Sequence, residues 1–196
     1  TRRNLGWGKD ELVLLFLSRL DKKKGLELLF ESINRFDLNC TTRLVIVGDG
    51  ETKYVSDLKE KSLTLNQQNL TVEWVGSVWG EDRWQYFQAS DLFCLPTYSE
   101  NFGIAVLEAL YAGTPVLTTD QTPWKEHQDI EGLIISQPNP GSLAEGLQNA
   151  LSQFSNWTLA ERQKLNQWAS DNYAWQNLAA EYVTTYDEVM RRHHAT

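Results

Sequence analysis

The feature that most constrains this chain is an alternation: short apolar runs separated by segments of helical spacing, repeated from near the start to past the middle. "ELVLLFLSRL" is almost continuously apolar, as a strand covered on both faces must be. "KGLELLFESINRF" follows, with Leu26, Leu29, Phe30 and Ile33 at helical intervals. "TRLVIVGDG" is a second buried strand, and residues 52–66 read as a polar amphipathic helix. "LTVEWVG", "DLFCLP", "TPVLTT" and "EGLIIS" supply four more strands, with helices expected over "EDRWQYFQAS" and from about Gly103 to Tyr111. Helices over 141–154, 158–170 and 174–192 complete the reading. Strands that alternate with helices imply βαβ units and a parallel sheet, wound with right-handed crossovers into a three-layer sandwich. The expected fold is therefore α/β, a doubly wound parallel sheet of Rossmann-like type, with 1–196 forming one domain.

That topology says where to look for chemistry. Ligands of open α/β sheets bind beyond the carboxyl ends of the strands, which selects loops 18–25, 48–52, 76–80 and 96–103. Composition narrows the ligand. A net charge of −8 removes the broad basic face that nucleic acid needs, though it leaves room for one local anion site. Cys40 and Cys94 are the only cysteines, too few for a zinc pattern or a disulfide framework, and Cys94 lies in an apolar run as a buried thiol would. A reducing, cytoplasmic setting is expected. No apolar run approaches the roughly 18 residues of a spanning helix. The chain starts "TRRNLGWGKDE" without Met, as a piece of a longer protein would.

In "SRLDKKKG" four cations fall within six residues of an acidic chain. Arg19 lies at the end of the first strand, and Lys24 precedes a glycine that opens a helix. A helix start attracts anions through free N–H groups, and Arg and Lys add full charge. A solvated lysine turn explains the spacing equally well, and better for Lys22 and Lys23. "VGDGE" lacks both GxGxxG and GxxxxGK[ST], so Gly48 and Gly50 read as a tight turn bordering the site. Gly76 to Trp79 could offer backbone groups and a stacking face to a flat ligand; Trp79 reads first as a surface aromatic packed on a neighbour.

"SENFGIAVLEALYAGTPVLT" places Glu100 just before a mostly apolar helix and Glu108 inside it. Their spacing means little, since Glu73 and Glu81 are separated identically. Their setting carries more. Glu100 belongs to the loop after strand four, Glu108 to the second turn of the next helix, and between them the N–H groups of Phe102, Gly103 and Ile104 are open to a ligand. Two carboxylates that accept hydroxyl hydrogen bonds, bracketing an anion site, suit a ligand with central phosphates and hydroxyl-bearing rings at both ends. A nucleoside diphosphate sugar is such a ligand. His127, His193 and His194 read as surface residues without metal spacing, and no D-x-D pair is present to chelate a divalent ion.

These segments, with "VEWVGSV" and the terminal "YAWQNLAAEYVTTYDEVM", resemble the C-terminal donor-binding domain of family 4 glycosyltransferases, one half of the GT-B fold. The resemblance covers residues 12 to 190 and carries expectations. Arg19 and Lys24 would bind the donor diphosphate. Glu100 would face the transferred sugar as the catalytic carboxylate, and Glu108 would hold the ribose. Phe102, Gly103 and Ile104 would touch sugar and phosphate, and Gly76 and Val78 the base. Transfer would retain anomeric configuration, without metal or other cofactor. A glycan or lipid acceptor would be bound by an N-terminal domain absent here, in bacterial polysaccharide or glycoconjugate synthesis, with peripheral membrane association compatible at the inner face. The isolated domain would bind donor and turn over poorly. Ser18 and Asn101 stand where the family usually has glycine, and "TPW" at 122–124 replaces a glycine pair. Alternatives left open are a nucleotide-binding regulatory or interaction domain without chemistry, and another GT-B enzyme such as a phosphorylase or epimerase.

Overall fold

The computed structural model describes residues 2–65 and 67–174; the helix expected over 174–192 lies outside them from 175 on. Among these residues all strands run parallel in one sheet of six, in the order β3-β2-β1-β4-β5-β6. They are β1 (Leu12–Leu17), β2 (Thr42–Val47), β3 (Leu70–Gly76), β4 (Leu92–Leu95), β5 (Val116–Thr119) and β6 (Leu133–Ser136). Each expected strand is present. β1 pairs with β2 along its whole length, Leu12 opposite Thr42 through Leu17 opposite Val47, and with β4 on its other side at Leu14 and Leu15. Central strands β1 and β4 are buried but for Leu17 at the end of β1, whereas β3, at the edge, is mostly half-buried and so tolerates Thr71 and Glu73.

Among the described residues six α-helices cover the sheet: α1 (Leu26–Ile33), α2 (Thr52–Ser62), α3 (Asp82–Ala89), α4 (Ile104–Tyr111), α5 (Pro140–Phe154) and α6 (Leu159–Tyr173). α1 packs with α2 and α5; α4 packs with α3 and α6, giving one group for each face. Local chemistry sets the ends. Asn139 caps α5 with Pro140 in its first turn, and Thr158 and Glu161 form a reciprocal capping box at α6. α2 stops at Ser62, short of the expected 66. There Ser62 and Thr64 turn their hydroxyls onto the carbonyls of Lys59 and Lys61, and Leu63 is left in solvent. A 3₁₀ helix over Pro123–His127, after β5, was not expected from the sequence.

The direction of winding reverses between β1 and β4, which remain parallel. β1 leads to β2 on one side, and β4 leads to β5 on the other. A crevice opens between two such strands at their carboxyl ends. Here loops 18–25 and 96–103 form its walls.

Candidate functional site

The walls are tied together by backbone. Lys23 carbonyl accepts from Tyr98 N–H at 2.7 Å and from Thr97 Oγ1 at 2.8 Å, and Leu20 N–H donates to Asp49 carbonyl at 2.8 Å. Gly25 makes the approach feasible. Its φ is +74°, and a Cβ there would stand 2.0 Å from the Pro96 carbonyl oxygen.

Between the walls lies a cleft of about 500 Å³, onto which Arg19, Lys24, Glu100, Phe102, Gly103 and Ile104 all open. Lys24 ends a short 3₁₀ turn (Lys22–Lys24) that Asp21 caps, and it is half-buried, while Lys22 and Lys23 are exposed. Its ammonium forms an ion pair across the cleft with Glu100. Arg19 is mostly exposed and lies 3.7 Å from Asp21, a loose contact that leaves it able to swing. Between them α4 starts at Gly103 with no side chain capping its first turn. The sequence thus brings two cations, one carboxylate and an uncapped helix N-terminus into one recess, charge-compensated internally and complementary to a diphosphate attached to a hydroxyl-bearing group. Ile104 is 65% exposed, facing away from the core that Val106, Ala109 and Leu110 occupy, so the apolar residues between the two glutamates do not all anchor the helix.

The remaining expected residues stand apart. Glu108 does not open on this cleft. It is buried on α4, 2.7 Å from Arg83 Nη2 in the first turn of α3. Burial pushes its carboxyl above the usual value, against the pull of the Arg83 charge. Gly76 and Val78 border the loop leading into α3, also outside the cleft. Trp79 is 81% exposed, which agrees with a surface position and not with packing on a neighbour.

Two contributors were not legible as site residues. Arg83 is one. Trp124 is the other: 1% exposed, it donates its indole N–H to Phe102 carbonyl at 2.6 Å and stacks obliquely against the Phe102 ring. It thereby fixes the peptide that begins α4 from behind. A side chain on Gly103, whose φ is +81°, would run into the Trp124 indole nitrogen at 3.2 Å. Tyr173 packs on the same indole and bonds His127 at 2.8 Å, so His127 is half-buried in an aromatic cluster and not a surface residue. A tryptophan directly after a proline at the end of a binding-edge strand was the signal available. His193 and His194 lie outside the described residues.

A larger recess of about 740 Å³ at the opposite end of the sheet is walled by Arg2, Trp7, Asp91 and Arg162. Three of its charged side chains are engaged in holding the chain: Arg2 bonds Asp91 and the carbonyls of Ala89 and Glu11, and Arg162 the carbonyl of Ser90. Among the described residues no group of three or more His, Cys, Asp or Glu side chains is placed to hold a metal ion, and no helix is long and apolar enough to cross a membrane.

Comparison with known proteins adds three findings. The family described as Glycosyl transferases group 1 matches residues 1–170. An uncharacterized glycosyltransferase of Methanocaldococcus jannaschii is 30% identical over 194 residues, covering 96% of this chain and 48% of its own, so the chain spans about half the length of that relative. Among solved structures, Anabaena HepE in complex with UDP and glucose superposes with a TM-score of 0.78 at 22% identity, over 95% of this chain and 51% of that one. WaaG, a glycosyltransferase involved in lipopolysaccharide biosynthesis, does so with a TM-score of 0.71 at 27% identity, over 93% and 50%.

Proposed function

Because the chain belongs to the group 1 glycosyl transferases, we propose that the protein containing it moves a sugar from a nucleoside diphosphate donor to an acceptor hydroxyl, with retention of anomeric configuration. Its doubly wound sheet is one half of the GT-B architecture. The observation that carries the reading is the cleft at the β1/β4 reversal, where Lys24, Arg19 and the uncapped start of α4 face Glu100.

Cleaving the sugar–phosphate bond leaves negative charge on the diphosphate. Lys24, Arg19 and the N–H groups at Gly103 and Ile104 stabilise that charge where it develops, a contribution of about 3 kcal/mol for each donor group in comparable sites. The arriving diphosphate replaces Glu100 as the counter-charge of Lys24. Glu100 is then free to accept hydroxyl hydrogen bonds from the sugar and to favour positive charge at its anomeric carbon. In this reading the counter-charge comes from the protein, with no metal or cofactor. Glu108 holds the ribose, and Gly76 and Val78 lie against the base.

The acceptor, a glycan or lipid, is assigned to the part of the protein outside this chain, and with it the facing half of the cleft that positions the reactants. The complex of HepE with UDP and glucose makes UDP-sugars the first donors to try, and the likeness to WaaG supports an acceptor in surface polysaccharide synthesis. A thermal-shift series with UDP-, GDP- and ADP-sugars tests the donor site. One series raises the unfolding midpoint, by about 2.7 kcal/mol of stabilisation at a hundredfold excess over Kd. No shift with any nucleotide sugar overturns the reading.

A further inference from the structure

Arg83 carries a feature that neutralising Glu108 does not explain. Its Nη2 meets Glu108 Oε1 at 2.7 Å, yet its Nε is buried and has no hydrogen-bond partner among the described residues. A buried donor left unsatisfied costs about 1–3 kcal/mol, and such groups in native proteins point to a missing acceptor. The side chain is not sealed in, since 39% of its surface reaches solvent. So the guanidinium sits at a boundary, holding a buried carboxylate with one nitrogen while another waits for an oxygen.

Its place in the fold says which ligand would bring that oxygen. Glu108 lies four residues into α4 from Ile104, about 6 Å along the axis from the helix start proposed to take phosphate. Arg83 comes three residues after Gly80, at the end of the loop that follows β3. Gly76 and Gly80 both have positive φ, and nothing lies within 4 Å of where their Cβ atoms would be, so the backbone there faces open space. A ligand that leaves the α4 start and runs toward that loop meets an acceptor, Glu108, and a donor, Arg83, already paired.

We propose that Arg83 is a positioning and recognition residue of the nucleoside subsite. It holds the Glu108 carboxylate in place for the ribose hydroxyls, and it offers its Nε–H to an oxygen of the nucleoside. The proposal rests on the donor-site reading above.

The test is calorimetry on wild type, Arg83→Met and Arg83→Lys, with UDP, GDP, ADP and inorganic pyrophosphate as probes. For whichever nucleoside diphosphate binds wild type most tightly, Arg83→Met loses at least tenfold in affinity, while pyrophosphate affinity stays within twofold. Arg83→Lys keeps a positive charge beside Glu108 but lacks the Nε–H; it retains the wild-type unfolding midpoint and loses the nucleoside affinity. Equal losses for pyrophosphate and nucleotide, or no loss for either, overturn the inference and leave the donor-site reading standing. Failure of wild type to bind any of the three nucleotides overturns the reading and the inference together.

Discussion

Arg43 and Arg83 each answer a glutamate, at opposite ends of the same sheet. At the amino end Arg43 is saturated: Nε and Nη2 bond both oxygens of Glu11 at 2.9 and 3.0 Å, and Nη1 bonds Glu73 at 2.8 Å. Trp7 closes the group by donating to Glu73 at 3.0 Å. At the carboxyl end Arg83 makes one ion pair and leaves a buried nitrogen unused. The two glutamates respond in opposite directions. Hydrogen bonding from Arg43 holds the Glu11 carboxyl below its ordinary value, whereas burial holds the Glu108 carboxyl above. A complete network stabilises the fold. An incomplete one is sustained by the rest of the molecule and is available to a ligand. The contrast separates ion pairs that build a structure from those that equip it, which charge and burial alone do not.

The comparison can be broken most directly at Arg43. Arg43→Met strands two part-buried carboxylates and costs about 3 kcal/mol of stability in denaturant unfolding, with nucleotide affinity unchanged. A loss below about 1 kcal/mol would mean the amino-end network is no more structural than its counterpart. Lys24→Met inverts the pattern: calorimetry with a nucleoside diphosphate shows a tenfold to hundredfold weaker Kd, roughly 1.5–3 kcal/mol for a charged hydrogen bond, with a smaller fall in unfolding midpoint than in Arg43→Met. Trp124→Phe keeps most of the buried volume but strands the Phe102 carbonyl. It costs about 1 kcal/mol in unfolding and also weakens nucleotide binding several-fold, because the start of α4 loses its support. Binding unchanged in that variant would show that α4 holds its own N-terminus.

The smallest effect is the sharpest in sign. A lowered Glu11 carboxyl stabilises the fold above its ordinary value of 4.5, and that contribution disappears as pH falls through the lowered value. A raised Glu108 carboxyl does the reverse: its ionisation costs stability above the raised value, and the cost is relieved as pH falls through it. Glu108→Gln therefore unfolds at or above the wild-type temperature at pH 7, by on the order of 1 kcal/mol at most, while losing nucleotide affinity. It also lacks the relief that wild type gains as pH falls from the raised value toward 4.5. Thermal midpoints measured from pH 7 to 4.5 check both. A clear destabilisation at pH 7 would place Glu108 with the structural glutamates.

The strands were readable because buried parallel strands must be apolar throughout, and "LVLLFL", "LVIV" and "LFCL" admit few other interpretations. Once the alternation gave parallel strands, the sheet edge that binds ligands followed, and with it Arg19, Lys24 and Glu100 as members of one recess. What stayed illegible depends on partners brought together from far along the chain. Arg83 and Glu108 are 25 residues apart on neighbouring helices, and no spacing rule links them. Trp124 reaches Phe102 only because a 3₁₀ turn folds it under the previous loop. Which side of the eight-residue α4 faces the sheet is decided by its entry angle at Gly103, and here Ile104 is left outside the core.

The straps at Lys23 have a mechanical consequence. One carbonyl receives both Tyr98 and Thr97, and the Gly25 backbone rests against Pro96. The groups that would grip a diphosphate from the left of the reversal and those that would read the sugar from its right therefore belong to one rigid plate. Such a plate cannot close like jaws within itself. Any motion that shuts the cleft must carry it whole, against whatever surface faces it.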